Sequence, residues 1–127
     1  MIAITLPRKL IDKIISGGKT IELRRTYPAS EGFIMTVFVV EKGTKNVPIT
    51  IMVQYMGRRS PMWIWRNHAD ELGITYGEFL RYAKDSKLLY PWYIYKVSRN
   101  SRTFSIDDLD IKKAPQSYVY INKERRK

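Results

Sequence analysis

Lys19, Glu22, Arg24 and Arg25 bring four charges together inside the stretch SGGKTIELRR, Ser16 to Arg25. Its Gly-Gly-Lys-Thr core looks like the end of a triphosphate-gripping loop. Such a loop needs a glycine five residues before the glycine that precedes the lysine, and here that position is Lys13. The loop must also run from strand into helix, so that free amides face the anion. Here the glycines follow a helical pattern and precede an alternating one, so the triphosphate reading fails twice. What remains is a lysine beside a carboxylate and two arginines. Such a set can hold a phosphate, orient a base edge or move a proton. Glu22 and Arg24, two apart on a strand, share one face. The same pattern also describes a charged strand side facing water, whose pairs contribute little.

Other residues suit a polyanion. Arg58 and Arg59, in a turn, and Arg24 and Arg25 offer phosphate contacts. Tyr27, Trp63 and Tyr93 offer faces for base stacking, worth ~1–3 kcal/mol per base. Gln116 and Ser117 offer hydrogen bonds to a base edge. Phe33, Phe38 and Phe79 are expected in the core. In YPWYIY, Trp92 and Ile94 share one face and Tyr93 and Tyr95 the other; one of these faces is core. The chain carries 23 Lys plus Arg against 12 Asp plus Glu, a net +11. The tail KERRK supplies +3 of this, so the rest still carries +8. That excess favours nucleic acid over an anionic membrane. Lys112, Lys113 and the tail read as general electrostatic attraction.

With no cysteine and one histidine, His68, the chain has no disulfide, thiol nucleophile or histidine-pair nuclease chemistry. No metal or other cofactor is implied. The absence of cysteine fits a reducing compartment. The start MIAITLPRKL does not read as a signal peptide. The longest apolar run, from Phe33 to Val40, is far short of the ~20 residues of a membrane helix. A cytoplasmic protein with no membrane partner is expected.

The elements that must position these residues follow from periodicity. The 127-residue length suggests one domain, 1–122, followed by the basic tail 123–127. Ile2 to Leu6 reads as a strand. Pro7 opens a helix whose Leu10, Ile11, Ile14 and Ile15 share a face, and Gly17 and Gly18 close it. Lys19 to Arg25 alternates as a strand, with Ile21 and Leu23 on one side. Phe33 to Glu41 reads as a strand buried on both faces, and Pro48 to Met56 as another. Ser60 and Pro61 start a helix reaching Leu72, stopped by Gly73. Thr75 and Glu78 have capping-box spacing and open a helix with Phe79, Leu80 and Tyr82 on its apolar side. Leu88 to Val97 reads as a strand, with Pro91 demanding an edge or a bulge. Ser105 to Leu109 reads as a helical turn and Gln116 to Ile121 as a last strand. Six strands without regular crossover helices argue against a doubly wound sheet. The expected fold is α+β: a small, mostly antiparallel β-barrel decorated with short helices.

At this point the chain resembles the ASCH domain family, whose fold is PUA-like. Gly18-Lys19-x-x-Glu22-x-Arg24 is similar to the family signature. The helix before it, Pro61-Met-Trp-Ile-Trp65, Glu78-Phe-Leu-Arg-Tyr82 and Ala114-Pro-Gln-Ser-Tyr-Val-Tyr-Ile121 resemble further landmarks in the same order. The resemblance implies a PUA-like barrel with the signature residues along a basic cleft, and binding of RNA or a nucleotide, DNA being a second candidate. It also implies an alternative, since some members are ribonucleases. RNA cleavage needs a base and an acid; without a histidine pair, Lys19, Glu22 and a tyrosine such as Tyr118 would supply them. A more distant alternative is the branch that hydrolyses acetylated cytidine. That branch has a threonine where this chain has Glu22, which counts against it. A basic interaction protein that ignores nucleic acid is the last alternative.

Overall fold

The computed structural model describes residues 1–121; the expected basic tail lies outside the described residues. Six strands form one mixed sheet: β1 Ile2–Leu6, β2 Ile21–Arg24, β3 Ile34–Glu41, β4 Ile49–Tyr55, β5 Tyr90–Arg99 and β6 Tyr118–Tyr120. Three short helices accompany it: α1 Arg8–Ser16, α2 Pro61–His68 and α3 Tyr76–Ala83. The strand order is β2-β5-β4-β3-β1-β6. Only β1 and β3 run parallel; every other pair is antiparallel. The result is a half-barrel in which β2 and β6 are the two edges.

Alternation decides where each strand points. Ile2, Ile4 and Leu6 face the barrel interior with Val37, Val39, Ile51 and Trp92, while Ala3, Phe38 and Val40 pack on the other side with Ile106 and Leu109. β3 is therefore buried on both faces, as its apolar run predicts. Helix α1 lays Ile11 and Ile14 on the interior cluster, with Leu10 and Ile15 partly covered. Each fully buried side chain of this size contributes ~1.5–3 kcal/mol. Gly17, in the left-handed region at φ 86°, ends the helix. A third cluster joins Ile21 and Leu23 of β2 to Ile64, Leu72, Phe79 and Leu89. β2 thus lies between the barrel interior and a cap made by α2 and α3, although it is an edge strand.

Several expectations need correction. Phe33 is 73% exposed, because it precedes β3 and stands at the surface with the Tyr55 ring 6.0 Å away. Leu80 is exposed too: α3 packs through Phe79 and Ala83, one turn apart, and Leu80 falls outside that stripe. The helix from Pro61 is α-helical only to His68, with a 3₁₀ turn over Ala69–Glu71. Pro91 lies in an interior strand, paired with Leu23 of β2. The pairing of β5 with β4 ends at Tyr55 and Trp92, so Pro91 has a strand neighbour on one side only. The irregularity in β5 comes further along, opposite Met52 and Val53. In YPWYIY the core face is the one with Trp92 and Ile94; Tyr93 and Tyr95 are exposed.

Candidate functional site

Lys19 leaves the glycine turn and runs inward. Its backbone N–H is held by Lys13 O at 3.1 Å, and that of Thr20 by Glu71 O at 2.9 Å. The stem lies against Gly73, where a Cβ would come 2.8 Å from Lys19 Cβ. Gly73 also has φ +70°, so both conformation and space call for glycine there. Nζ donates to Ile21 O at 2.7 Å and Leu72 O at 2.9 Å, and lies 3.3 Å from Glu22 Oε1. Two of the three ammonium protons thus go to carbonyls, and the Glu22 carboxylate balances the charge as an ion pair.

Glu22 belongs to β2 on the side opposite Ile21 and Leu23, as alternation predicts. It pairs across the strand with Trp92. Lys19 and Glu22 are 3% and 4% exposed, the two buried charged residues of the described chain. The expectation of a weak, solvent-facing pair therefore does not apply. Glu22 Oε2 accepts from Arg24 Nη1 at 3.0 Å, and Arg24 Nη2 donates to Ser117 O at 2.7 Å. Ser117 immediately precedes β6. The Arg24 guanidinium therefore ties edge strand β2 to the approach of edge strand β6, across the seam that no strand pairing closes. Its Cζ lies 5.8 Å from the Trp92 ring. Trp92 Nε1–H is buried with no acceptor among the described residues, and an unmet buried donor costs on the order of 1–3 kcal/mol.

Lys19, Glu22 and Arg24 line a cavity of about 240 Å³ with Leu6, Leu10, Leu23, Ile74, Glu78 and Tyr82. Burial raises the Tyr82 phenol above its usual range, so it faces the cavity as a neutral O–H. Two cations and two carboxylates line these walls. The formal charges balance, and the positive excess of the chain lies elsewhere. Among the described residues no cluster of His, Cys, Asp or Glu could hold a metal ion. No helix among them is long and apolar enough to cross a membrane.

No protein-family model matches the chain, and no curated protein is significantly similar to it. Solved structures do match. The ASCH protein of Zymomonas mobilis superposes with a TM-score of 0.81 at 17% identity, over 97% of this chain and 88% of that one. A serine-to-alanine variant of it gives 0.83 at 16% identity, covering 97% and 89%. A tyrosine-to-phenylalanine variant gives 0.84 at 16% identity, covering 97% and 91%. The fold is ASCH-like. Identities this low carry the architecture and leave the chemistry of the ASCH-like domain to its own residues.

The other candidates of this ASCH-like domain are distributed unevenly. Arg25 lies beside α3, its Nη2 donating to Tyr82 O at 2.7 Å and its Cζ 4.3 Å from the Tyr82 ring. Tyr27 touches Trp92 edge-on at 5.6 Å and lines a second cavity. Tyr118 packs on the barrel interior; a hydrogen bond with Tyr120 raises its phenol above the usual range. Gln116 and Ser117 are exposed, and Ser117 meets Arg24 through its carbonyl. Arg59 and Trp63 form a separate group beside α2, with Arg59 Cζ 4.9 Å from the Trp63 ring and His68 at 5.5 Å. Arg58 is exposed, and Tyr93 projects from the outer face of β5. None of Arg58, Arg59, Trp63 and Tyr93 lines the Lys19 cavity. Sequence reasoning missed Tyr82, the clamp by Leu72 and Gly73, and the contact of Trp92 with Arg24. Gly73 could be read as a helix stop, but nothing local says that its carbonyl neighbours hold a lysine.

Proposed function

We propose that this ASCH-like domain binds single-stranded RNA or a nucleotide, with a base entering the cleft at Glu22 and Arg24 and the exposed arginines meeting phosphates. The buried Lys19–Glu22 pair carries this reading. Buried ion pairs can often be replaced by apolar residues at little cost or with a gain in stability, so a fold has little need of one beside an open cavity. Lys19 holds one Glu22 oxygen and Arg24 the other, leaving further lone pairs on the carboxylate for an amino group of a base. Apolar walls and a few fixed polar groups suit a flat heterocycle. The ribonuclease alternative asks Lys19 to exchange protons while it donates to two carbonyls and is paired with a carboxylate. Binding asks no such change and is favoured.

Fluorescence anisotropy with a short single-stranded RNA, titrated from low to high salt, tests the reading. Arg24→Gln and Glu22→Gln should each weaken binding, and intact RNA should be recovered from the mixture. No binding at low salt, or binding indifferent to both substitutions, would remove the cleft as the site. RNA fragments that vanish with Lys19→Ala would favour the ribonuclease.

A further inference from the structure

A second cavity, of about 300 Å³, adjoins the same strand pair and is walled by Tyr27, Phe33, Tyr55 and Tyr90, with Ala29 and Gly32. Tyr27 and Tyr55 are 4.7 Å apart between ring centroids, Tyr55 and Tyr90 6.2 Å. Two links join this cavity to the Lys19 cleft. Tyr90 is the cross-strand partner of Arg24. Trp92 lies against both Tyr27 and Arg24.

The chemistry of this second cavity differs from that of the cleft. Tyr27 donates its O–H to Gly32 O at 2.5 Å, so that hydroxyl is occupied by the wall itself. What the cavity offers is mainly aromatic faces, which take planar rings or cations. No carboxylate lines it. Arg25, two residues before Tyr27, is engaged with Tyr82, and Arg58, three residues after Tyr55, is exposed. Burial, and then the nearby Glu31 carboxylate, raise the Tyr27 phenol above its usual range. Four aromatic rings in the walls suit a planar base, which stacks on ring faces.

We propose that this aromatic pocket is a second base subsite, stacking the base next to the one held in the Glu22 cleft. The inference rests on the nucleotide reading above. It divides the labour: the cleft reads one base by hydrogen bonds, and the pocket accepts its neighbour by stacking, which every base can provide.

Calorimetry with AMP and with the RNA dinucleotide ApA separates the two subsites. The unmodified protein should bind ApA about 5- to 150-fold more tightly than AMP, the range for stacking one further base. Tyr55→Leu keeps apolar bulk but removes a ring face, and Phe33→Ala removes an exposed ring. Each should shrink the ApA advantage and leave AMP affinity unchanged, while Tyr55→Phe should preserve it. Should Tyr55→Leu fail to fold, Phe33→Ala decides, since its ring lies outside the core. An ApA advantage that survives Phe33→Ala and Tyr55→Leu, or that is absent from the unmodified protein, overturns the second subsite while AMP binding sensitive to Arg24→Gln keeps the cleft. Failure of the unmodified protein to bind either ligand overturns both.

Discussion

Lys19 donates to two carbonyls and forms an ion pair with Glu22, and both side chains are almost wholly buried. Removing one partner of such a pair leaves a buried charge without compensation, which costs about 3–5 kcal/mol. Lys19→Met should therefore lower the urea midpoint strongly. Adding Glu22→Leu should recover part of that loss, because the buried carboxylate goes with its lysine, while Arg24, 15% exposed, keeps only the Ser117 carbonyl. Strictly additive effects of the two substitutions would show that the pair is not coupled. The residue types of this pair were legible in Gly18-Lys19-x-x-Glu22-x-Arg24. Their burial was not, since a lysine after a glycine turn has no pleat to fix its direction and its carbonyl partner Leu72 is supplied 53 residues away.

Helix α3, which contributes Glu78 and Tyr82 to the cleft, shows how much one element can owe to its first turn. Thr75 Oγ1 accepts from Glu78 N at 3.1 Å, and Glu78 Oε1 accepts from Thr75 N at 2.9 Å. The Thr75 backbone N–H, and then Lys9, hold the Glu78 carboxyl down at about 2. A depressed carboxyl stabilises the folded chain above its ordinary titration range and loses that contribution as pH falls through its folded value. Melting temperature should accordingly drop between about pH 4.5 and about pH 2. Glu78→Gln, which can still cap the helix but carries no charge, should flatten that part of the profile and lower the melting temperature at neutral pH towards its acid value. An unchanged acid limb in the variant would remove Glu78 as a source. The capping box was readable from Thr75 and Glu78 because it is a local device. The exposure of Leu80 was not, because the width of a helix's buried stripe depends on what it meets.

Charge is a property of the whole molecule here. The chain carries +11, yet two carboxylates match two cations around the Lys19 cleft. The RNA-binding proposal therefore assigns phosphate contacts to arginines outside the cleft and predicts that binding weakens steeply with salt, with a log–log slope of about −0.7 per phosphate neutralised on a single strand. Arg58→Gln should make the slope shallower by about 0.7, while Glu22→Gln should change affinity and leave the slope alone. Measurement of anisotropy at several salt concentrations separates the two effects. A slope that Arg58→Gln leaves unchanged would take Arg58 out of the phosphate contacts.

The sequence by itself determined the local elements and their punctuation: the strand Ile2 to Leu6, the helix ended at Gly17, the Ser60 and Thr75 caps, and the alternation that separates Glu22 and Arg24 from Ile21 and Leu23. These depend on backbone geometry and nearest neighbours, which a short window contains. The ASCH-like landmarks, read in order, pointed to the architecture that the superpositions with the Zymomonas mobilis protein bear out. Only the tertiary structure decided which charges leave water and which rings meet. The α2 and α3 cap buries an edge strand, the Leu72–Gly73 turn receives a lysine, Arg24 spans the seam to Ser117, and Trp92 touches both Arg24 and Tyr27. Each of those contacts joins segments far apart in the chain, and burial of a charge is settled by everything that surrounds it.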